Sequence, residues 1–72
     1  MRKSLSTKQI QKVLSKKGWE FRNQTGSHIT YKHPDYRGRV TLPHPKKDLP
    51  YGTFRRILKQ MNITEEDFYK SL

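Results

Sequence analysis

The sequence has no cysteine, few acidic residues and no long apolar run. Without cysteine, its 72 residues can form neither a disulfide framework nor a thiolate metal site. No apolar run approaches the ~20 residues that a membrane-spanning helix needs, and no hydrophobic signal segment follows Met1. These absences argue against a disulfide-stapled mini-protein and a membrane-spanning chain, so we expect a soluble, cytoplasmic protein.

Acidic residues are outnumbered by basic ones: 16 Lys and Arg stand against 6 Asp and Glu, for a formal net charge of +10. A small domain with this charge binds polyanions through counterion release. Nucleic acid is therefore the first partner class to consider. An acidic protein is the second, and the two are compatible. An anionic membrane surface fits less well, because no helix combines a strongly apolar face with a Lys-rich one.

Hydrophobic residues make up only 31% of the chain, which allows a thin core. One Trp, four Tyr and three Phe offset the shortage, since each aromatic side chain buries a large area. We therefore expect one small domain spanning residues 1–72.

The apolar pattern predicts an α-β-β-β-α order with a short C-terminal helix. Helical spacing predicts a first helix over residues 7–17 and a second over 51–61. Between them, alternating bulky and polar residues predict three short strands in an antiparallel meander. Thr64 should cap the last short helix, whose Phe68 folds back onto the domain. Two amphipathic helices on one sheet form a two-layer α+β sandwich.

Strand alternation divides the predicted sheet into two faces, since side chains on a strand point alternately up and down. The apolar face is expected to carry Trp19, Phe21, Ile29, Tyr31, Val40 and Leu42. The polar face is expected to carry Glu20, Arg22, His28, Thr30, Lys32, Arg39 and Thr41. The helices should cover the apolar face, which leaves the basic face open.

His28 is the one histidine on this polar face. A lone histidine there is by default an ordinary solvated side chain. This one follows a Gly-Ser turn that permits close approach of a backbone, and we expect Arg22, Lys32 and Arg39 to surround it. With an unperturbed pKa of ~6.5, histidine acts as base or acid near neutrality. RNA can be cleaved without a metal by three kinds of group. A base removes the proton of the 2′-hydroxyl, cations stabilise the charge on the phosphoryl oxygens, and an acid protonates the leaving 5′-oxygen.

The remaining residues suggest no cofactor site. Strand alternation puts His33 on the face opposite His28, and His44 falls in a proline-framed loop, so a three-histidine metal site is not expected. The four glycines are scattered and form no phosphate-binding loop. Ser27 and His28 are neighbours that point apart, so a Ser-His-Asp triad cannot be argued.

Three stretches give the chain a family likeness: GWEFRNQTGSHITYKHP, RVTLPHPKKDLPYGT and FRRILKQMNIT with its acidic tail. They resemble the HicA-type toxins of bacterial type II toxin–antitoxin systems, small mRNA interferases with a double-stranded-RNA-binding-domain-like fold. The likeness extends from the first helix to about Phe68. It implies a catalytic histidine at the His of GSH, here His28, and a HicB-type antitoxin that covers the active site. Phe54 in place of Leu and a slightly long Asp35–Gly38 turn depart from the family without touching His28.

Three functions fit these observations. The first is a metal-independent endoribonuclease toxin that cleaves mRNA with His28. The second is a non-catalytic RNA-binding module, because double-stranded-RNA-binding domains share this order of elements. The third is a domain that binds an acidic protein. The expected RNA contacts are Arg22, Ser27, Lys32, Arg39, Lys46 and Lys47. The general acid is left open among Lys32, Arg39, His33, His44 and Tyr36.

Overall fold

The order of elements in the computed structural model, which describes residues 5–44 and 48–72, matches the predicted order. The elements are α1 (Thr7–Lys16), β1 (Glu20–Thr25), β2 (His28–Lys32), β3 (Arg39–Pro43), α2 (Tyr51–Met61) and α3 (Glu65–Ser71). One helix, three antiparallel strands and two helices make an α+β fold, as predicted. Within the described residues, no helix has the length and apolar character to cross a membrane.

The helix ends follow from local side-chain chemistry. The Ser6 hydroxyl accepts a hydrogen bond from the backbone N–H of Gln9, and the Gln9 side chain accepts one from the Ser6 N–H. This reciprocal capping box fixes the start of α1. Gly18 follows α1 with a φ of +91°, and Asn62 ends α2 with a φ of 66°, the left-handed conformation common at helix ends. The Thr64 side chain caps α3.

All three helices bury their apolar residues in one core against the sheet. Phe68 of α3 is fully buried there, as expected. Leu5 and Leu49 also belong to this core, and the N–H of Leu49 donates to the Leu5 carbonyl at 2.8 Å. Sequence periodicity missed both, because each lies outside a regular element.

The sheet has the strand order β1-β2-β3, and both pairs are antiparallel. His28 lies opposite Pro43 at one end of β2 and β3, whereas Lys32 lies opposite Arg39 at the other end. At about 3.3 Å per residue, the four steps from His28 to Lys32 span ~13 Å. The polar face of the sheet therefore has two well-separated ends.

The first strand departs from strict alternation. Phe21 pairs with Tyr31, but the next pair is Asn23 with Thr30, so Arg22 is the extra residue of a β-bulge. The prediction that Phe21 lies in the core is wrong: Phe21 is 56% exposed. Every residue of β1 is exposed, so the helices do not cover this edge strand.

Trp19 is buried as expected, but it lies in the chain just before β1 rather than in a strand. Its ring contacts the rings of His33 and Tyr36, which follow β2. The aromatic cluster therefore closes one end of the sheet.

Candidate active site

His28 is an exposed side chain at the start of β2, where it borders an open groove of about 520 Å³. The groove lies between the sheet and the second helix. The other lining residues are Thr41 and Pro43 of β3, then Pro50, Thr53, Arg56 and Gln60 in or next to α2. The groove thus joins residues from elements that are distant in sequence.

Helix α2 presents a polar stripe to this groove. Thr53, Arg56 and Gln60 are spaced three and four residues apart, a spacing that aligns side chains on one helix face. The Gln60 side-chain oxygen accepts a hydrogen bond from the backbone N–H of Thr41 at 3.2 Å. This bond holds α2 against the outer edge of β3 and extends the polar sheet face onto the helix.

Arg56 is the cationic side chain among the described residues that line this groove. It is exposed and forms no salt bridge with any residue in the described part of the chain. None of the described lining residues is acidic. Sequence analysis missed Arg56, although the apolar stripe of α2 already placed it on the opposite, polar side of the helix. What the sequence did not show was that this side flanks β3.

The neighbouring Arg55 has a different role. Its guanidinium donates to a carboxylate oxygen of Glu65 at 2.8 Å, and the Tyr51 hydroxyl donates to the same oxygen. The hydrogen bond that Arg55 donates to Glu65 raises the pKa of Arg55, and the hydrogen bond that Tyr51 donates to Glu65 raises the pKa of Tyr51. These contacts join the start of α3 to α2.

A second groove, of about 390 Å³, lies at the other end of the sheet. Its lining brings together three of the predicted RNA-binding residues, Arg22, Lys32 and Arg39, with Glu20, His33 and Pro34. The expectation that these three cations surround His28 is wrong, because the strand register puts Lys32 and Arg39 at the far end of β2. Arg22, the extra residue of the bulge, also lines this second groove.

The remaining predicted RNA contacts lie near the turn before His28 or outside the described residues. Ser27 is exposed in the turn between β1 and β2, and its carbonyl accepts from the N–H of His44 at 2.7 Å. Lys46 and Lys47 fall in 45–47, outside the described part of the chain. Their roles stay predictions.

The five side chains considered as general acid are not equally placed. Lys32, Arg39 and Tyr36 belong to the end of β2 away from His28. His33 is engaged on both ring nitrogens: Nδ1 accepts from the Asp35 N–H at 3.0 Å, so Nε2 carries the proton and donates to the Lys17 carbonyl at 3.0 Å. Of the five, His44 is the one at the end of the sheet where His28 lies.

His44 has an unusual environment. Its Nδ1 is buried without a hydrogen-bond partner among the described residues. Its backbone is held next to the β1–β2 turn by the bond to Ser27.

Among residues 5–44 and 48–72, no three or more His, Cys, Asp or Glu side chains gather as a potential metal-binding group.

Comparison with known proteins identifies the family. The profile of the family described as HicA toxin of bacterial toxin-antitoxin matches residues 7–63. The structure is similar to a chain of the solved "HicA3 and HicB3 toxin-antitoxin complex", with a TM-score of 0.72, 33% sequence identity, and coverage of 83% of this chain and 97% of that one. A search of curated protein sequences gives no significant match. The match over most of the chain, together with the similarity in fold, shows that this chain belongs to the HicA toxin family.

Proposed function

We propose that this chain is the toxin of a type II toxin–antitoxin system, an endoribonuclease that cleaves mRNA in the cytoplasm with His28. The observation that carries the proposal is the groove lined by an exposed histidine, His28, and by Arg56, which forms no salt bridge within the described residues. An imidazole can move a proton at neutral pH, and a guanidinium can bind a phosphate. The net charge of +10 supplies long-range attraction for RNA.

The reaction uses the RNA's own 2′-hydroxyl as nucleophile. His28 accepts the proton of that hydroxyl, the 2′-oxygen forms a bond to the adjacent phosphorus, and the bond from phosphorus to the 5′-oxygen breaks. A general acid gives a proton to the leaving 5′-oxygen, either His44, the candidate side chain at this end of the sheet, or solvent water. The products are a 2′,3′-cyclic phosphate and a 5′-hydroxyl. Arg56 stabilises the negative charge that accumulates on the phosphoryl oxygens. Each step needs only RNA and the side chains of the chain, so we propose that cleavage is independent of metal.

We also propose a HicB-type antitoxin as the partner that inhibits the chain. The structurally similar protein was solved as a toxin–antitoxin complex. His28 and Arg56 are both exposed on one groove, so a partner that covers this groove would block access to both at once. We further propose that the contact surface of that partner is acidic, because this chain is strongly basic.

Cleavage of a labelled single-stranded RNA by purified protein tests the enzymatic proposal. His28→Ala should lower the rate by roughly 10²–10⁴, the usual contribution of an acid–base residue. Thr30→Ala is the matched control, because Thr30 lies on the same face of β2 and lines neither groove. Circular dichroism establishes that both variants are folded.

The outcomes separate the alternatives. Near-normal cleavage by folded His28→Ala protein would overturn the assignment of His28. RNA binding without cleavage by the wild-type protein would support the alternative, a non-catalytic RNA-binding module. That result would leave the family membership of the chain unchanged.

A further inference from the structure

Tyr36 is an exposed aromatic residue that is held against a buried ring. It lies in the connection between β2 and β3 and is 44% exposed, whereas Trp19 beneath it is 4% exposed. The two rings are stacked, with centroids 5.6 Å apart and planes inclined by 18°. Trp19 therefore supports one part of the tyrosine ring while much of the residue stays open to solvent.

Several contacts fix the position of this ring. The Tyr36 N–H donates to the His33 carbonyl at 3.3 Å, and the ring centroids of Tyr36 and His33 lie 4.7 Å apart. His33 is itself fixed by hydrogen bonds at both ring nitrogens, to Lys17 and Asp35. A ligand that stacks on Tyr36 would therefore meet a ring that is already ordered, which reduces the entropy lost on binding.

The ring lies beside the basic groove at the Lys32 end of the sheet. His33, which contacts Tyr36, is one of the residues that line this groove. Three cations and one acid line it, namely Arg22, Lys32, Arg39 and Glu20. Lys32 is further positioned by a hydrogen bond from its ammonium group to the Arg37 carbonyl at 3.3 Å. An aromatic surface next to a cluster of cations is the combination that binds single-stranded nucleic acid, in which bases stack and phosphates are neutralised.

We propose that Tyr36 and this groove form a nucleobase-binding subsite for single-stranded RNA, separate from the groove of His28. The unpaired base stacks on Tyr36, and the adjoining phosphates contact Arg22, Lys32 and Arg39. Because ~13 Å of strand separates Lys32 from His28, the stacked base lies a few nucleotides from the scissile phosphate. The proposal shares with the proposed function the assumption that RNA is the ligand, but it does not require that RNA be cut.

The subsite gives the chain a means to select unpaired substrate. A base inside a duplex is already stacked between its neighbours and cannot be offered to a protein ring without being unstacked. Tyr36 therefore favours single-stranded RNA over a duplex. Stacking alone tolerates any base, so the subsite selects for strandedness more strongly than for sequence.

Binding measurements in a His28→Ala background test this subsite without interference from cleavage. The probe is a short, unstructured, fluorescein-labelled RNA of mixed sequence, and its anisotropy gives the Kd. Tyr36→Ala should weaken binding by about 5- to 150-fold, the range for loss of one base–aromatic stack. Tyr36→Phe should bind normally, because the ring is kept. Tyr36→Leu keeps an apolar cover over Trp19 and should bind as weakly as Tyr36→Ala.

Tyr69→Ala is the matched control. Tyr69 is also an exposed tyrosine packed on a buried aromatic, Phe68, but it lies on α3 and outside both grooves. Its loss should leave the Kd unchanged. Thermal unfolding of each variant identifies any loss of fold, and the Leu variant keeps the test valid if Tyr36→Ala is unstable.

RNAs with a single abasic nucleotide, scanned along the probe, locate the stacked base. When the abasic nucleotide replaces the base that stacks on Tyr36, the RNA should bind equally well to the protein with Tyr36 and to the Tyr36→Ala variant, since neither complex can form the stack. Equal affinity of folded Tyr36→Leu and Tyr36→Phe proteins for the intact RNA would overturn the subsite. The subsite would also be overturned if substitution of Tyr36 weakened antitoxin binding but not RNA binding, because this surface would then be a protein contact. Tyr36-dependent binding by a wild-type protein that cuts no RNA would keep the subsite and reject the proposed enzyme.

Discussion

Arg56 of α2 and His28 of β2 line the same groove, although β3 and the loop after it separate them in the chain. The juxtaposition depends on how α2 lies along the sheet. Gln60, one helical turn beyond Arg56, accepts a hydrogen bond from the Thr41 N–H on the free edge of β3. The fold thus brings an imidazole and a guanidinium to one groove.

Arg56→Ala should lower RNA cleavage by roughly 10²-fold, the typical effect of removing one donor that stabilises transition-state charge. The main loss should be in kcat, because the charge on the phosphoryl oxygens grows as the reaction proceeds. Arg56→Lys keeps the charge but not the planar, forked donor, so we expect it to restore only part of the activity. Single-turnover cleavage rates measure the effect apart from product release.

Arg55→Ala is the control for this prediction. It removes the same charge from the adjacent position, but Arg55 is paired with Glu65 and does not line the His28 groove. Cleavage should therefore change little. If both substitutions reduced cleavage equally, the effect of Arg56 would be one of overall charge and not of position.

The position of His28 was predictable because its strand follows strict alternation. Ile29 and Tyr31 are buried on one side of β2, so the parity argument placed His28 on the other side correctly. The same argument put Phe21 on the correct face, since Phe21 pairs with Tyr31, but its burial was wrongly predicted because no helix covers this edge strand. The bulge at Arg22 comes after Phe21 and changes the alternation from there on. A bulge adds one residue without a clear sequence signal, so alternation alone could not reveal it.

The partners of His28 depend on contacts that no local pattern encodes. The apolar stripe of α2 shows which side of the helix faces the core, and Arg56 lies on the opposite, polar side. The hydrogen bond between Gln60 and Thr41 joins two elements that sequence periodicity treats separately. The separation of Lys32 and Arg39 from His28 likewise required the register of the strands.

Gly18→Ala should destabilise the fold by about 1–3 kcal/mol, the range for a non-glycine residue in an unfavourable backbone conformation. Gly18 has a φ of +91°, and a Cβ at this position would lie 3.0 Å from Nε2 of His33. That nitrogen is already hydrogen-bonded to the Lys17 carbonyl, so the ring cannot yield without losing the bond. Urea-induced unfolding, followed by Trp19 fluorescence, measures the change.

Gly38→Ala provides the comparison for Gly18. A Cβ at Gly38 would meet no atom within 4 Å, and the residue has no positive φ. Its substitution should leave the unfolding midpoint close to that of the wild type. Equal stability of the Gly18 and Gly38 variants would show that the contact between Gly18 and His33 is not constrained in solution.

The ends of the RNA products should report the nucleophile. Attack by the 2′-oxygen leaves a 2′,3′-cyclic phosphate, or its opened form, and a 5′-hydroxyl. A single 2′-deoxy nucleotide on the 5′ side of the cut should therefore abolish cleavage at that bond, and EDTA should leave the rate unchanged. Mass spectrometry of the fragments identifies the termini. Products with a 5′-phosphate would instead require water as the nucleophile and reject the mechanism proposed for His28.

The antitoxin should associate with this chain at a rate that falls steeply with salt. Cations line the grooves at both ends of the sheet, Arg56 of α2 at the His28 end and Lys32 and Arg39 at the other. An acidic partner would be steered by this field, and screening shortens the field to about 8 Å at physiological ionic strength. Dissociation should depend less on salt, because short-range contacts hold the formed complex. Stopped-flow mixing with a HicB-type antitoxin, across a salt series, measures both rates.

Two charge-reversing substitutions identify the surface to which the antitoxin binds. Lys32→Glu and Arg56→Glu change the net charge equally but at opposite ends of the sheet face. If the antitoxin covers the groove of His28 and Arg56, Arg56→Glu should accelerate dissociation strongly, since it places an unmatched charge inside the interface. Lys32→Glu should mainly slow association if Lys32 lies at the rim. Solvent accessibility of His28 in the complex, followed by NMR of its imidazole, gives an independent test. An accessible His28 in a complex that no longer cuts RNA would reject occlusion, and inhibition would then act by distorting the groove or by sequestering the toxin.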